Sequence, residues 1–118
     1  MLVQAPAERS WIPVEDATSL DALLQQSHQA PVVLFLHDWT CPISERAEDQ
    51  VGRIPGTVYS VDVTRLHDLN RHIALVTGVG HESPQVLVFA GGRVVFDASH
   101  GRIRAEVLTA LLEELALP

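Results

Sequence analysis

Apolar positions along the chain fall into runs and stripes that alternate between strand and helix. Val32-Val-Leu-Phe-Leu36 is a continuous β-branched and aliphatic run, the composition of a strand covered on both faces. Ahead of it, Leu20, Leu23 and Leu24 share one helical face, and Thr18 followed three residues later by Asp21 has the form of a capping box with Asp in place of Glu. Behind it, Cys41-Pro-Ile-Ser44 reads as an N-cap with proline at the first helical position, where a missing N–H costs nothing. Glu45 to Val51 continues as a surface helix ending near Gly52. Val58 to Val63 alternates as the next strand, and Leu66, Leu69, Ile73 and Val76 recur at helical spacing up to a closing Gly78. Gln85 to Ala90 and Arg93 to Asp97 are apolar runs separated by Gly91-Gly92, the signal for a tight antiparallel hairpin. Ile103, Val107, Leu108, Leu111, Leu112 and Leu115 mark an amphipathic C-terminal helix.

Residues 1–16 are polar and punctuated by proline, and are expected to lie over the surface or to form a short edge strand around Trp11 to Val14. The remaining order is helix, strand, helix, strand, helix, hairpin, helix. It calls for parallel neighbours joined by crossover helices and for an antiparallel closing edge. With a cysteine directly after the first central strand, this is the order of the thioredoxin-like fold. The expectation is one α/β domain over residues 1–118, with a central four-stranded mixed β-sheet flanked by helices.

Composition narrows the chemistry. At 118 residues, 47% hydrophobic and 19% charged, the chain can bury a core without disulfides or metals. The formal charge is −7 and all eight basic residues are scattered arginines, which argues against nucleic acid as a partner. The lack of lysine removes Schiff-base chemistry and P-loop phosphate binding, leaving cysteine, histidine and carboxylates as the able groups. The N-terminus has no basic region followed by a long apolar stretch, and the longest apolar run, Val32 to Leu36, is too short to span a bilayer. A cytoplasmic protein without a membrane partner is expected, and the single cysteine, unable to form an internal bridge, agrees with a reducing compartment or a reactive thiol.

That cysteine, Cys41, is the leading candidate for chemistry. A thiol at a helix start lies beside unpaired N–H groups and the positive end of the helix dipole, which favour the thiolate. Opposing this, Asp38 and Glu45 raise its pKa if they lie close. Ser44 stands where a C-x-x-C site keeps its second sulfur, so disulfide chemistry must run through one protein thiol and a partner molecule. Ser44 is either a hydrogen-bond donor to the thiolate or an ordinary first-turn serine. Ser83-Pro84, directly before a strand, is a second feature: it is either a trans proline at a strand start or a cis proline facing the thiol. In the cis case the N–H and C=O of Ser83 are free to pair with an extended substrate as an added strand.

Phe35-Leu-His-Asp-Trp-Thr-Cys-Pro-Ile-Ser44, Thr77-Gly-Val-Gly-His-Glu-Ser-Pro-Gln85 and Ala98-Ser-His100 together resemble the monothiol bacilliredoxins, thioredoxin-like proteins with a T-C-P-I-S-type active site. The match runs from about residue 17 to the last helix, with departures at Leu36 and Asp38, where a basic and a small hydroxyl residue are expected. The resemblance implies a monothiol thiol-disulfide oxidoreductase that removes the small thiol bacillithiol from protein mixed disulfides. Bacillithiol is then a co-substrate, with no bound cofactor, and the partners are S-bacillithiolated proteins, met by a monomer or weak homodimer.

Cys41 is the expected nucleophile, with Ser44, Pro42 and Ile43 in the first turn stabilising its thiolate. Trp39, Thr40, Ser83 and Pro84 are expected substrate contacts. His37, His81 and His100 either converge at the mouth of the site, binding carboxylates of the small thiol or tuning Cys41, or satisfy local backbone groups. No histidine pair has metal-ligand spacing, and one cysteine cannot complete a closed thiolate zinc site. A glutathione-dependent monothiol reductase, an iron–sulfur or thiol-binding protein, and an interaction module with an idle thiol are the alternatives.

Overall fold

A computed structural model of the chain describes residues 11–38, 40 and 42–116. The expectations for residues 1–10, Trp39 and Cys41 lie outside the described residues. Five strands and four helices follow one another as β1 (Trp11–Pro13), α1 (Ala17–Gln26), β2 (Val32–His37), α2 (Pro42–Val51), β3 (Val58–Asp62), α3 (His67–Thr77), β4 (Gln85–Ala90), β5 (Arg93–Ser99) and α4 (Ala105–Leu115), with a short 3-10 turn at His100–Arg102. The strand order is β1-β3-β2-β4-β5, with β1 and β2 parallel to β3, and β4 antiparallel to both β2 and β5. The sheet thus has five strands where four were expected, because the Trp11 segment pairs with Val58 to Ser60 and adds a parallel edge.

The alternation of side chains along β2 divides the core into two layers. Val32, Leu34 and Leu36 join Leu20 and Leu23 of α1 and Leu69 and Ile73 of α3 on one face. Val33 and Phe35 meet Ala47 and Val51 of α2, Val86 and Val88 of β4, and Leu108 of α4 on the other. Phe35 and Phe89 are wholly buried, one in each layer. Burial of side chains this size contributes about 1.5–3 kcal/mol each.

Local details differ from the sequence pattern for identifiable reasons. The N-cap of α1 is Asp16, whose carboxylate accepts the Ser19 N–H at 2.8 Å, so the helix starts ahead of Thr18. Ile103 belongs to the core but not to α4; it follows the 3-10 turn in extended conformation. Gly78 closes α3 at φ 72°, as a left-handed C-cap.

Gly91 and Gly92 turn the hairpin at φ 63° and 83°, a conformation that favours glycine. Their N–H groups are held by Ser27 at the end of α1, through its carbonyl and hydroxyl oxygens, each at 2.9 Å. A Cβ at Gly92 would also meet His28 Nε2 at 2.5 Å. Gly92→Ala is therefore expected to cost about 1–2 kcal/mol, the penalty of a left-handed non-glycine residue, read as a lower urea midpoint at unchanged m-value. An unaltered midpoint would contradict this account of the turn.

Candidate active site

β2 and β3 run parallel and end side by side, with His37 opposite Asp62. Both strands hand over to the same local turn. Asp38 Oδ1 accepts the Thr40 N–H at 2.8 Å and the Thr40 hydroxyl at 2.6 Å, and Asp62 Oδ1 accepts the Thr64 N–H at 3.0 Å and its hydroxyl at 2.6 Å. An Asp two residues before a Thr is the local signal for this turn. Thr40, expected as a substrate contact, therefore spends its hydroxyl on Asp38, and Asp38 has a structural part in shaping the loop that leads to position 41.

α2 begins at Pro42, immediately after Cys41 in the sequence. Its inward face is Ser44, Ala47 and Val51, whereas Pro42 and Ile43 are exposed. Ser44 is wholly buried, and its Oγ accepts the Asp38 N–H at 3.1 Å. The oxygen thus binds the loop, while the hydroxyl proton stays available to donate. Ser44→Ala orphans a backbone donor and should cost about 1–3 kcal/mol of stability while turnover persists, since no sulfur is lost. Equal urea midpoints for the two proteins would contradict that role.

His37 does not lie at a mouth. It is 1% exposed, because the odd-numbered face of β2 continues one residue beyond Phe35. Its ring lies 5.4 Å from that of Phe35 and 6.5 Å from that of Trp11. Burial lowers its pKa to about 4 against the opposing pull of Asp62 and Asp38. A neutral, buried imidazole offers no charge to a carboxylate at neutral pH, so the expected anion-binding role is withdrawn. Asp62 itself is held low: burial would raise it, but hydrogen bonds from Thr64 and Arg65 prevail.

The Ser83–Pro84 peptide bond is cis, and Pro84 is buried at the head of β4. Gln85, 2% exposed, fastens the preceding loop by donating to the Gly80 carbonyl at 3.1 Å and accepting the Glu82 N–H at 3.3 Å. His100 closes the other side. Its N–H donates to the Pro84 carbonyl at 3.1 Å, and its Nε2 stands 3.0 Å from the Ser83 carbonyl oxygen. The expectation that both backbone groups of Ser83 are free is thus corrected, because the carbonyl is already engaged. His81 is exposed in the loop before β4.

His100 and Pro42 both line a cleft of about 1000 Å³ between α2 and the segment leading into α4, bordered also by Arg46, Gln50 and Arg104. The cleft runs from the start of α2 to His100, the residue that bonds the Ser83 and Pro84 carbonyls. Among the described residues no group of three or more His, Cys, Asp or Glu side chains is placed to hold a metal ion. No helix among them is long and apolar enough to cross a membrane.

A parallel-antiparallel sheet of this order, a helix beginning just after the only cysteine, and a cis proline at the head of the adjoining strand define a thioredoxin-fold thiol-disulfide oxidoreductase. Comparison with known proteins agrees. The model of the monothiol bacilliredoxin family BrxC matches residues 12–108, and the chain belongs to that family. A solved protein with a thioredoxin fold is similar at 31% identity and a TM-score of 0.78, over 86% of this chain and 92% of that one. Two thioredoxins share the fold. A point variant of the thioredoxin from Halobacterium salinarum is 18% identical with a TM-score of 0.70, over 98% of this chain and 97% of its own. The thioredoxin of Malassezia sympodialis is 14% identical with a TM-score of 0.67, over 99% and 97%.

Proposed function

We propose that this oxidoreductase removes bacillithiol from proteins that carry it as a mixed disulfide, with Cys41 as the nucleophile. The observation that carries the monothiol part is position 44: it holds a buried serine bonded to the Asp38 N–H, so the C-x-x-C partner place is filled by a group of structural use that cannot form a disulfide. Membership in the bacilliredoxin family supports bacillithiol as the small thiol.

The Cys41 thiolate attacks the bacillithiol sulfur of the mixed disulfide. The bond between the two substrate sulfurs breaks, its electron pair leaves on the protein target as a thiolate, and a new disulfide joins Cys41 to bacillithiol. A second low-molecular-weight thiol, as thiolate, then attacks that bacillithiol sulfur, which returns Cys41 as thiolate and leaves a small-molecule disulfide. Substrate is held beside the Ser83-Pro84 loop and the start of α2, where exposed Pro42, Ile43 and Thr40 border the thiol in sequence. A chain with one cysteine suits the reducing cytoplasm, where we place this reaction.

Side-by-side turnover of one target protein, carrying either bacillithiol or glutathione on the same cysteine, tests the substrate. The proposal expects higher kcat/KM for the bacillithiol adduct. Faster turnover of the glutathione adduct would transfer the reading to a glutathione-dependent reductase.

A further inference from the structure

His100 is an outlier. It is the non-glycine residue with positive φ among those described, at 53°, in a region that histidine enters more readily than most side chains but still at a cost. Two bonds hold it there: its N–H on the Pro84 carbonyl and its ring Nε2 on the Ser83 carbonyl, at 3.1 and 3.0 Å. Glu82 Oε1 stands 3.8 Å from the same ring nitrogen, and half of the His100 side chain remains in solvent. The ring therefore sits on the surface, over the backbone carbonyl that an extended peptide needs if it is to pair with the Ser83 backbone ahead of β4. The Ser83 N–H, in contrast, has no hydrogen-bond partner among the described residues.

We propose that His100 is a specificity-determining residue: by occupying one lone pair of the Ser83 carbonyl and laying its ring over that oxygen it weakens one of the two backbone bonds an incoming peptide would make in strand addition, so that substrate is selected through its small thiol. This rests on the thiol-exchange function proposed above. Strand addition derives affinity from main-chain bonds whatever the peptide sequence. A reductase acting on many proteins that share one small adduct gains by weakening that contribution to binding, since discrimination is a difference between affinities. Glu82 keeps the ring near this carbonyl by attracting the nitrogen that carries the proton.

Two variants separate the cap from a general structural part. His100→Gly removes the ring and suits φ 53°, whereas His100→Gln restores a donor at about the reach of Nε2. The readout is the ratio of kcat/KM for a disulfide between two extended cysteine peptides to that for oxidised bacillithiol, with oxidised glutathione in parallel. His100→Gly should raise the ratio about 2- to 10-fold, the equivalent of one net backbone hydrogen bond. His100→Gln should return the ratio toward that of the unaltered protein. In the unaltered protein, nitrogen NMR of the ring should show the proton on Nε2. An unchanged or lowered ratio in His100→Gly, or a proton on Nδ1 with Nε2 bare, would overturn the cap. Reaction with oxidised glutathione but not with oxidised bacillithiol would instead overturn the choice of small thiol, and the glutathione ratio would still report on the cap.

Discussion

Cys41→Ser protein is expected to lose turnover of protein mixed disulfides to the floor of the assay, on the order of 10³-fold or more. The chain has one cysteine, so no other sulfur can take over the exchange. A serine hydroxyl at the same place stays protonated at neutral pH and is too poor a nucleophile toward sulfur to substitute. Pro42 opens α2 directly after Cys41 in sequence, the placement on which the proposed nucleophile rests. The contrast with Ser44→Ala is the informative part. Loss of the buried serine weakens the Asp38 loop and lowers stability, but leaves the reactive sulfur in place. A Cys41→Ser protein that retains a tenth of the native rate would contradict the assignment of the nucleophile.

The second large effect is on stability. His37 has a pKa of about 4 in the folded protein and an ordinary value of 6.5. The folded-state pKa is the lower one, so between these values the unfolded chain binds a proton that the folded chain refuses. Stability is therefore fully present above about pH 6.5, falls as the pH drops through that window, and loses nothing further from this group below about pH 4. At about 1.4 kcal/mol per pKa unit, the loss is roughly 3 kcal/mol, a large share of the roughly 5–15 kcal/mol that holds such a domain together. Urea unfolding at pH 7.0, 5.5 and 4.5 should show this decline, and His37→Phe, beside Phe35 and Trp11, should flatten it. A native protein equally stable at all three pH values would contradict the buried, neutral state of His37.

Much of this architecture was legible from periodicity because burial enforces it. Val32 to Leu36 and Gln85 to Ala90 are covered on both faces, and their continuous apolar composition has no other stable placement. The site was less legible where a residue's role depends on distant chain. His37 is polar at a strand end, and nothing local shows that the alternation with Val33 and Phe35 buries it beside Phe35 and Trp11. Thr18 offered a plausible cap, but Asp16 lies in the extended conformation that lets its carboxylate reach the Ser19 N–H. The cap on Ser83 spans 17 residues of sequence. Its location was nevertheless within reach of hairpin counting: the pairing Ala90 with Arg93 extrapolates to Ser83 opposite His100, and the bulge at Val88/Phe89 shifts this so that His100 meets Pro84. The paired turns Asp38-x-Thr40 and Asp62-x-Thr64 also had a local signal, an Asp two residues before a Thr at the end of each parallel strand.

The most direct test of the account is intact mass of the protein after exposure to a bacillithiolated target. The account predicts one added bacillithiol per chain, located on Cys41, with an equal amount of target released as free thiol and the adduct cleared by a second small thiol. An unmodified Cys41 alongside a reduced target, or a Cys41 joined to the target instead of to bacillithiol, would contradict it.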